Sequence, residues 1–529
     1  MDAARPRAQA LAVRDGRILA VGEDADIRAM ANGRTRMIDA GGRLVMPGFQ
    51  DTHIHLQDSG TDLSMSVDLS GATTIEELQG LLRRFATDRP NEPWVRGTGW
   101  YSGIFGAHNL TREVLDAAVP DRPLYIFASD GHNAALNSKG CEAVGLTAST
   151  PDPDNGTFVR DAKGVPTGLL YEHAIFPVVE RMPQPDDDTY RAGVRYAQKH
   201  ANEHGITGIL DALVQERHMR VYSSLDKAGE LSVRVRATAL VEPHDTVEGA
   251  LARTEQMRRD YRSELCAVHS AKFFLDGVLE NRTGLMIEDY ADAEGGNAKL
   301  MFDKDLLHRL FKAFDAARFQ IHVHVIGDGA ARVALDALED ARAVNGAWPS
   351  LHQLAHVQMI DPADIPRFRD LGVVANIQPL WARHEASTDL GLAMVGPKRG
   401  RWMYPWRTII DSGAHYAVSS DWAVSTLNPF AIMQVAVTRQ SEKRGRNTPV
   451  FFPEERLDVE TVVRGYTVNA AAAAWRAGET GSLVAGKQAD LIVVDRDVFA
   501  IDPYEIGGTE VLLTMLAGRE VHRAKGFDG

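Results

Sequence analysis

Eight apolar runs punctuate the middle of the chain, at residues 45–54, 207–212, 233–241, 270–275, 320–326, 351–357, 373–378 and 416–420. Each is short and dominated by aliphatic or aromatic residues, the pattern of a strand buried on both faces. Helical patterns follow them. The stretches 305–317, 330–344 and 362–371 repeat apolar residues at the spacing of an amphipathic helix. Strand and helix in alternation predict βαβ units in a parallel sheet, and eight such units predict an α/β fold of the (β/α)8 TIM-barrel type. Residues 55 and 207 are too far apart for one βα loop. An insertion at about 58–200 is therefore expected, with a helix at 75–85 and a hairpin around 156–168.

The two ends read differently. Residues 10–13 and 17–21 flank an Asp15-Gly16 turn, and residues 37–38 and 43–45 flank Gly41-Gly42. Near the other end, 489–495 and 511–516 are again strand-like, with turns at Gly507-Gly508 and Gly518-Arg519. Two β-rich ends around a long α/β middle predict a small composite β-sandwich built from both termini. The expected division is 1–46 and 471–529 for the β domain and 47–470 for the barrel.

Composition narrows the function. The 529 residues carry 58 Lys and Arg against 72 Asp and Glu, a net charge of −14. An acidic balance argues against a nucleic-acid partner, which needs a basic footprint. Cys141 and Cys266 are the only two cysteines, so neither a disulfide framework nor a cysteine zinc site is available. No apolar run reaches 18 residues, and no apolar signal core follows Asp2, Arg5, Pro6 and Arg7. The expectation is a cytoplasmic protein with no membrane partner and a small-molecule substrate.

A barrel of this kind places its chemistry at the C-terminal ends of its strands. His53 and His55 end the first run, two apart and so on the same face. Lys272 lies in the fourth run, His322 and His324 in the fifth, His356 in the sixth, and Asp421 ends the eighth. Imidazoles with a carboxylate suit zinc and similar divalent ions. Each residue has an ordinary alternative. The histidines could be core residues, Lys272 a salt-bridged lysine, and Asp421 an N-cap. His322 competes with His324 as the ligand of its strand, or fills the barrel interior. Asp328 is expected to cap the helix after it, and Gly327-Asp328-Gly329 is too short a signal for a phosphate loop.

The segment Pro47-Gly48-Phe49-Gln50-Asp51-Thr52-His53-Ile54-His55 resembles the PGFxDxHxH opening of the amidohydrolase superfamily. Further segments resemble its amidohydrolase family 3 branch, of N-substituted formamide deformylase type. They are Gly97-Thr98-Gly99-Trp100, Asp130-Gly131-His132 with Asn137-Ser138, Lys272 to Gly277, and His324 to Asp328. His356-Val357-Gln358, Ser420-Asp421-Trp422 and Gly481 to Leu491 complete the set. The resemblance spans nearly the whole chain.

It implies a metal-dependent hydrolase that cleaves a C–N bond of amide, N-formyl or N-acyl type by a metal-activated hydroxide. His53, His55, His324 and His356 are the implied metal ligands. Lys272 matches a lysine that in many relatives is carboxylated and bridges two metals. Asp421 matches the aspartate that contacts metal and shuttles protons, the catalytic role. One or two Zn2+ ions and a homo-oligomer, a dimer, are implied with it. The same barrel in other members supports deamination, ester or lactone hydrolysis, decarboxylation or C–C cleavage, and a few members are non-catalytic. Two departures stand out. Relatives carry a strand ahead of the segment at residue 10, so here that strand is either missing or encoded upstream of Met1, and Leu279-Glu280-Asn281 stands where small residues are usual. Pocket candidates are Trp100, His132, Glu172, Arg282, Trp381 and Trp422, with Tyr101 and Thr283 behind them. For the aromatic members the alternative is core packing.

Overall fold

The computed structural model describes residues 1, 4–129, 131–292 and 295–529. Eight parallel strands form one sheet: Phe49–Ile54, Ile206–Val214, Arg234–Leu240, Cys266–Phe274, Gln320–Val325, Gln353–His356, Val374–Ile377 and His415–Val418. They hydrogen-bond to one another in chain order. The ends of the sheet meet. Thr52 Oγ1 donates to Val418 O at 3.2 Å, Asp421 N to His53 O at 2.9 Å, and His55 N to Trp422 O at 3.0 Å. The result is a nearly closed (β/α)8 barrel.

Helices cover the barrel where their apolar stripes predict. Lys304–Ala316 begins at Asp303, whose carboxylate accepts from Leu306 N at 2.8 Å. Its buried face carries Phe311 and Phe314, which meet Phe273 of the fourth strand at 4.9 and 5.9 Å between ring centroids. The helix Asp328–Asn345 corrects one expectation. Gly327 is its N-cap, and the Asp328 carboxylate instead accepts from Ile287 N at 2.8 Å.

The run 45–54 divides into two strands. Leu44–Pro47 leaves the barrel and pairs antiparallel with Leu491–Val494. Gly48 makes the division possible, because a Cβ there would lie 2.4 Å from the Thr207 side chain. Val511–Leu516 and Arg519–Arg523 complete this four-stranded sheet, and Ala10–Arg14 pairs with Arg17–Gly22 in a separate hairpin. The four-stranded sheet therefore draws on residues near both termini, and the hairpin on N-terminal residues alone. Arg234 at the base of the third barrel strand grips Asp490 with two hydrogen bonds, 2.7 and 3.0 Å, and both residues are buried. Asp490 Oδ1 also accepts from Ala517 N at 2.7 Å. A bidentate pair with its remaining lone pairs used is the form in which buried charges are tolerated.

Residues 1–55, 197–422 and 426–529 form the compact unit just described, and residues 56–196 with 423–425 form a second. The second unit has its own six-stranded sheet, in the order Val67–Asp68, Val95–Trp100, Leu124–Ala128, Asn133–Leu136, Pro166–Glu172, Gly156–Arg160. The last two strands make an antiparallel hairpin. The helix Ile75–Asp88 buries Leu78 and Leu82 in an apolar core that includes Trp100 and Ile126. Among the described residues no helix is long and apolar enough to cross a membrane.

Candidate metal centre at the barrel mouth

Alternation along the first barrel strand brings His53 and His55 to the same side. Asp421 reaches them from just beyond the eighth strand. Its Oδ1 lies 3.2 Å from His55 Nε2 and 3.5 Å from His53 Nε2. Ligand atoms from these three residues all fall within 4.8 Å of one another, close enough to share one cation. His356 at the end of the sixth strand brings Nδ1 to 4.0 Å from Asp421 Oδ2. Its ring stands 4.9 Å from that of His53 and 4.5 Å from that of His324. The backbones of His356 and Asp421 are both left-handed, at φ +75° and +54°. Such conformations cost on the order of 1 kcal/mol each for residues with a side chain.

The surroundings decide the charge state of these groups. His53 and His322 are fully buried, and burial holds both imidazoles well below the usual histidine range, with the nearby Lys272 charge acting in the same direction. Neutral imidazole is the form that ligates metals. Lys272 is buried on the fourth strand, and burial pushes its ammonium down to about 7 while Asp421 pulls the other way. Its Nζ has no hydrogen-bond partner and stands 4.4 Å from the Phe274 ring centroid. Asp421 Oδ1 is likewise buried without a hydrogen-bond partner.

An unsatisfied buried carboxylate oxygen faced by two imidazole nitrogens fits a cation. Left alone, each such atom would cost about 1–3 kcal/mol. His356 stands beside this group, with Nδ1 4.0 Å from Asp421 Oδ2.

Of the two histidines on the fifth strand, His322 lies one layer deeper, with Nε2 2.8 Å from His53 Nδ1. His324 turns Nε2 toward Gly277 O at 3.1 Å. Trp381 stacks on His356 at 5.2 Å with 12° between the rings. Trp422 is buried beside His200, and its carbonyl receives the His55 amide. Arg282, in the loop after the fourth strand, is ion-paired with Asp292 and donates to Gly295 O at 3.0 Å.

The remaining pocket candidates belong to the second unit. Trp100 is buried in its core against Phe105 at 5.7 Å, where its area goes to packing. His132 Nδ1 and Glu172 Oε2 are 2.6 Å apart, and Glu172 has a left-handed backbone at φ +51°. Asp130 lies outside the described residues.

Two carboxylates escaped the sequence reading although both stand in the quoted motifs. Asp51 is buried, accepts from the backbone of His53 and Ser420 at 3.2 Å, and is pushed up to about 7 by burial. It ties the first strand to the segment that carries Asp421. Asp276 accepts from Ile326, Gly327 and Leu285 N at 3.0, 2.8 and 2.9 Å. It thereby fixes the loop beyond His324. An acidic residue inside an apolar run, as Asp51 is, or directly at its end, as Asp276 is, is the signal that could have found both, since a buried carboxylate must be satisfied.

Comparison with known proteins gives the same direction. Residues 36–522 match the sequence model of the amidohydrolase family. The putative amidohydrolase YtcJ of Bacillus subtilis is 29% identical over 528 residues, covering 98% of this chain and 96% of the relative. N-substituted formamide deformylase of Arthrobacter pascens is 29% identical over 539 residues, covering 98% and 95%. The crystal structure of an uncharacterized metal-dependent hydrolase from Pyrococcus horikoshii superposes with a TM-score of 0.75 at 25% identity, over 93% of this chain and 94% of that one.

Proposed function

The chain belongs to the amidohydrolase family of metal-dependent hydrolases, and from that premise we propose that it opens a C–N bond of amide, N-formyl or N-acyl type in a small molecule. The observation that carries the reading is the convergence of His53, His55 and Asp421 at one end of the barrel, with His324 and His356 beside them. The relative from Arthrobacter pascens, named for deformylating N-substituted formamides, supports the choice of bond.

His53, His55, His324, His356 and Asp421 would hold one or two divalent ions, and imidazole with carboxylate favours zinc. When bound, such an ion acidifies water to near neutrality and stabilises negative charge on the carbonyl oxygen.

The chain's own groups supply the rest. Asp421 takes the proton that the attacking water loses as the C–O bond forms, and returns it to nitrogen as the C–N bond breaks. The products are a carboxylic acid and an amine. Lys272, with its ammonium brought down to about 7 by burial, is about half in the free-amine form at neutral pH. A free amine adds CO2, loses one proton and becomes a carbamate with an anionic oxygen. Trp381 stacked on His356 gives the mouth an aromatic wall, which suits an apolar or aromatic group next to the scissile bond.

The test is elemental analysis of protein purified without added metal or chelator, followed by a panel of N-formyl, N-acyl, cyclic-amide and ester substrates. About two zinc per chain with amine and carboxylate release is the expected result, as two ions suit a bridging carbamate. A chain that holds no metal and rebinds none overturns the reading. Release of ammonia or CO2 instead of a substituted amine would move the same site to deamination or decarboxylation.

A further inference from the structure

We infer that Gln378 is a positioning residue for His356, and that a relay of buried amides sets its orientation from the opposite end of the barrel. The inference rests on the proposed role of His356 as a metal ligand. Gln378 follows the seventh strand, is 1% exposed, and places Oε1 3.0 Å from His356 Nδ1. An amide side chain can face a histidine with either end, so this distance alone does not say which atom carries the proton. The relay does.

It starts at Gln320, at the base of the fifth strand. Gln320 Nε2 points at two backbone carbonyls, Ala473 O at 2.8 Å and Ser350 O at 3.3 Å. A carbonyl only accepts, so the NH2 end of Gln320 is fixed there and its oxygen must face the other way. That oxygen accepts from Gln353 Nε2 at 2.7 Å. Gln353 Oε1 is then left to accept from Asn376 Nδ2 at 2.8 Å. A second carbonyl checks the direction independently, because Asn376 Nδ2 also donates to Thr52 O at 2.9 Å.

Asn376 Oδ1 therefore accepts, from Ser419 Oγ at 2.6 Å and from Gln378 Nε2 at 3.2 Å. Gln378 Nε2 also donates to Ser419 Oγ at 2.7 Å, so its NH2 end is used on this side. Gln378 Oε1 has to be the atom that meets His356. An amide oxygen cannot donate, so His356 Nδ1 carries the proton, and an uncharged ring then has its lone pair on Nε2.

Every amide of the relay is 0–1% exposed, so no solvent competes for these bonds. The alternative orientation would set NH2 groups against each other or oxygens against carbonyls at several positions at once, with each mismatch leaving a buried polar group unsatisfied. Gln320 lies four residues before His324, roughly 13 Å down the strand. The tautomer of a residue at the barrel mouth is thus written by backbone carbonyls at the barrel floor. Stacking on Trp381 holds the plane of the His356 ring, and Gln378 fixes its rotation within that plane.

The experiment combines zinc affinity, by chelator competition, with nitrogen-15 NMR of histidine-labelled metal-free protein, the His356 signals assigned by comparison with His356→Gln. The wild type should show the proton on Nδ1. Gln378→Met should weaken zinc binding roughly tenfold or more, the usual effect of removing a group that orients a ligand histidine. Gln378→Glu, whose carboxylate also accepts from Nδ1–H, should stay within about threefold of wild type. This rescue would be absent if the residue served only to fill space. Gln320→Met, which touches neither the histidine nor the metal, should shift the His356 signals toward a mixture of tautomers. Wild-type affinity in Gln378→Met, or a proton on Nε2 in the wild type, overturns the inference. If the wild type takes up no zinc, the metal reading falls, and the tautomer in the metal-free protein still decides the relay.

Discussion

Nδ1 of His53 lies 2.8 Å from Nε2 of His322, and both rings are closed off from solvent. One ring nitrogen of His53 is thus occupied from below, and the other, Nε2, is the one that faces Asp421. His322 braces the imidazole in the rotation a ligand needs. Replacing it with Leu should weaken zinc binding about tenfold, while Gln, which can still accept, should retain most of the affinity. Chelator competition on the two variants checks this, and equal affinity in Leu and wild type would show that His53 needs no brace.

Asp421 sits where it can both meet a cation and handle the reaction's proton. Asp421→Asn keeps the shape and one oxygen but removes the basic carboxylate. Turnover should fall by roughly 10²–10⁴, the range for loss of a general acid–base group. Metal content should remain within about a factor of two of wild type, measured on the same preparations. Retained activity would assign the proton transfer elsewhere.

Lys272 gives a pH signature in the metal-free protein. Burial brings its ammonium down to about 7, against roughly 10.4 for a lysine in an unfolded chain. Between these values the unfolded chain binds a proton that the folded one does not. Stability should therefore rise with pH across that window, by up to about 1.4 kcal/mol per unit. Below about 7 both states are protonated, and the contribution of Lys272 to the slope ends. Thermal unfolding of wild type and Lys272→Met from pH 7 to 9 should diverge, with the wild type gaining more. Parallel curves would contradict a buried, uncompensated amine.

Asp276 collects the amides of Ile326, Gly327 and Leu285. The loops it joins run very close, since a Cβ on Gly327 would lie 1.9 Å from Leu285 O. Asp276→Ala strands three amides in a buried place, two of them with no room to move apart. A loss of roughly 3 kcal/mol or more is expected in urea unfolding. Gly327→Ala should be destabilising through the same loops, by steric separation and not by backbone strain, because its φ is an ordinary −79°. A near-neutral Asp276→Ala would mean that water replaces the carboxylate.

What the sequence carries by itself is what depends on residue type and local spacing. Eight apolar runs become eight barrel strands because a strand buried on both faces must be apolar along its length. His53 and His55 share a face because strand side chains alternate. The seven strand-end residues with chemistry could be named for the same reason. Tertiary structure decided which groups met. Gln378, Asn376, Gln353 and Gln320 are 2, 23 and 33 positions apart in successive steps along the chain, 58 from end to end, and nothing local marks the four as one relay. Trp100 went to a core, Arg282 to Asp292 and Asp328 to Ile287 N, partners that no local pattern singles out. Hydrogen bonds and ion pairs are short-ranged in space and indifferent to separation in sequence. Their pairing is fixed only when the barrel closes and burial leaves each polar atom one available partner.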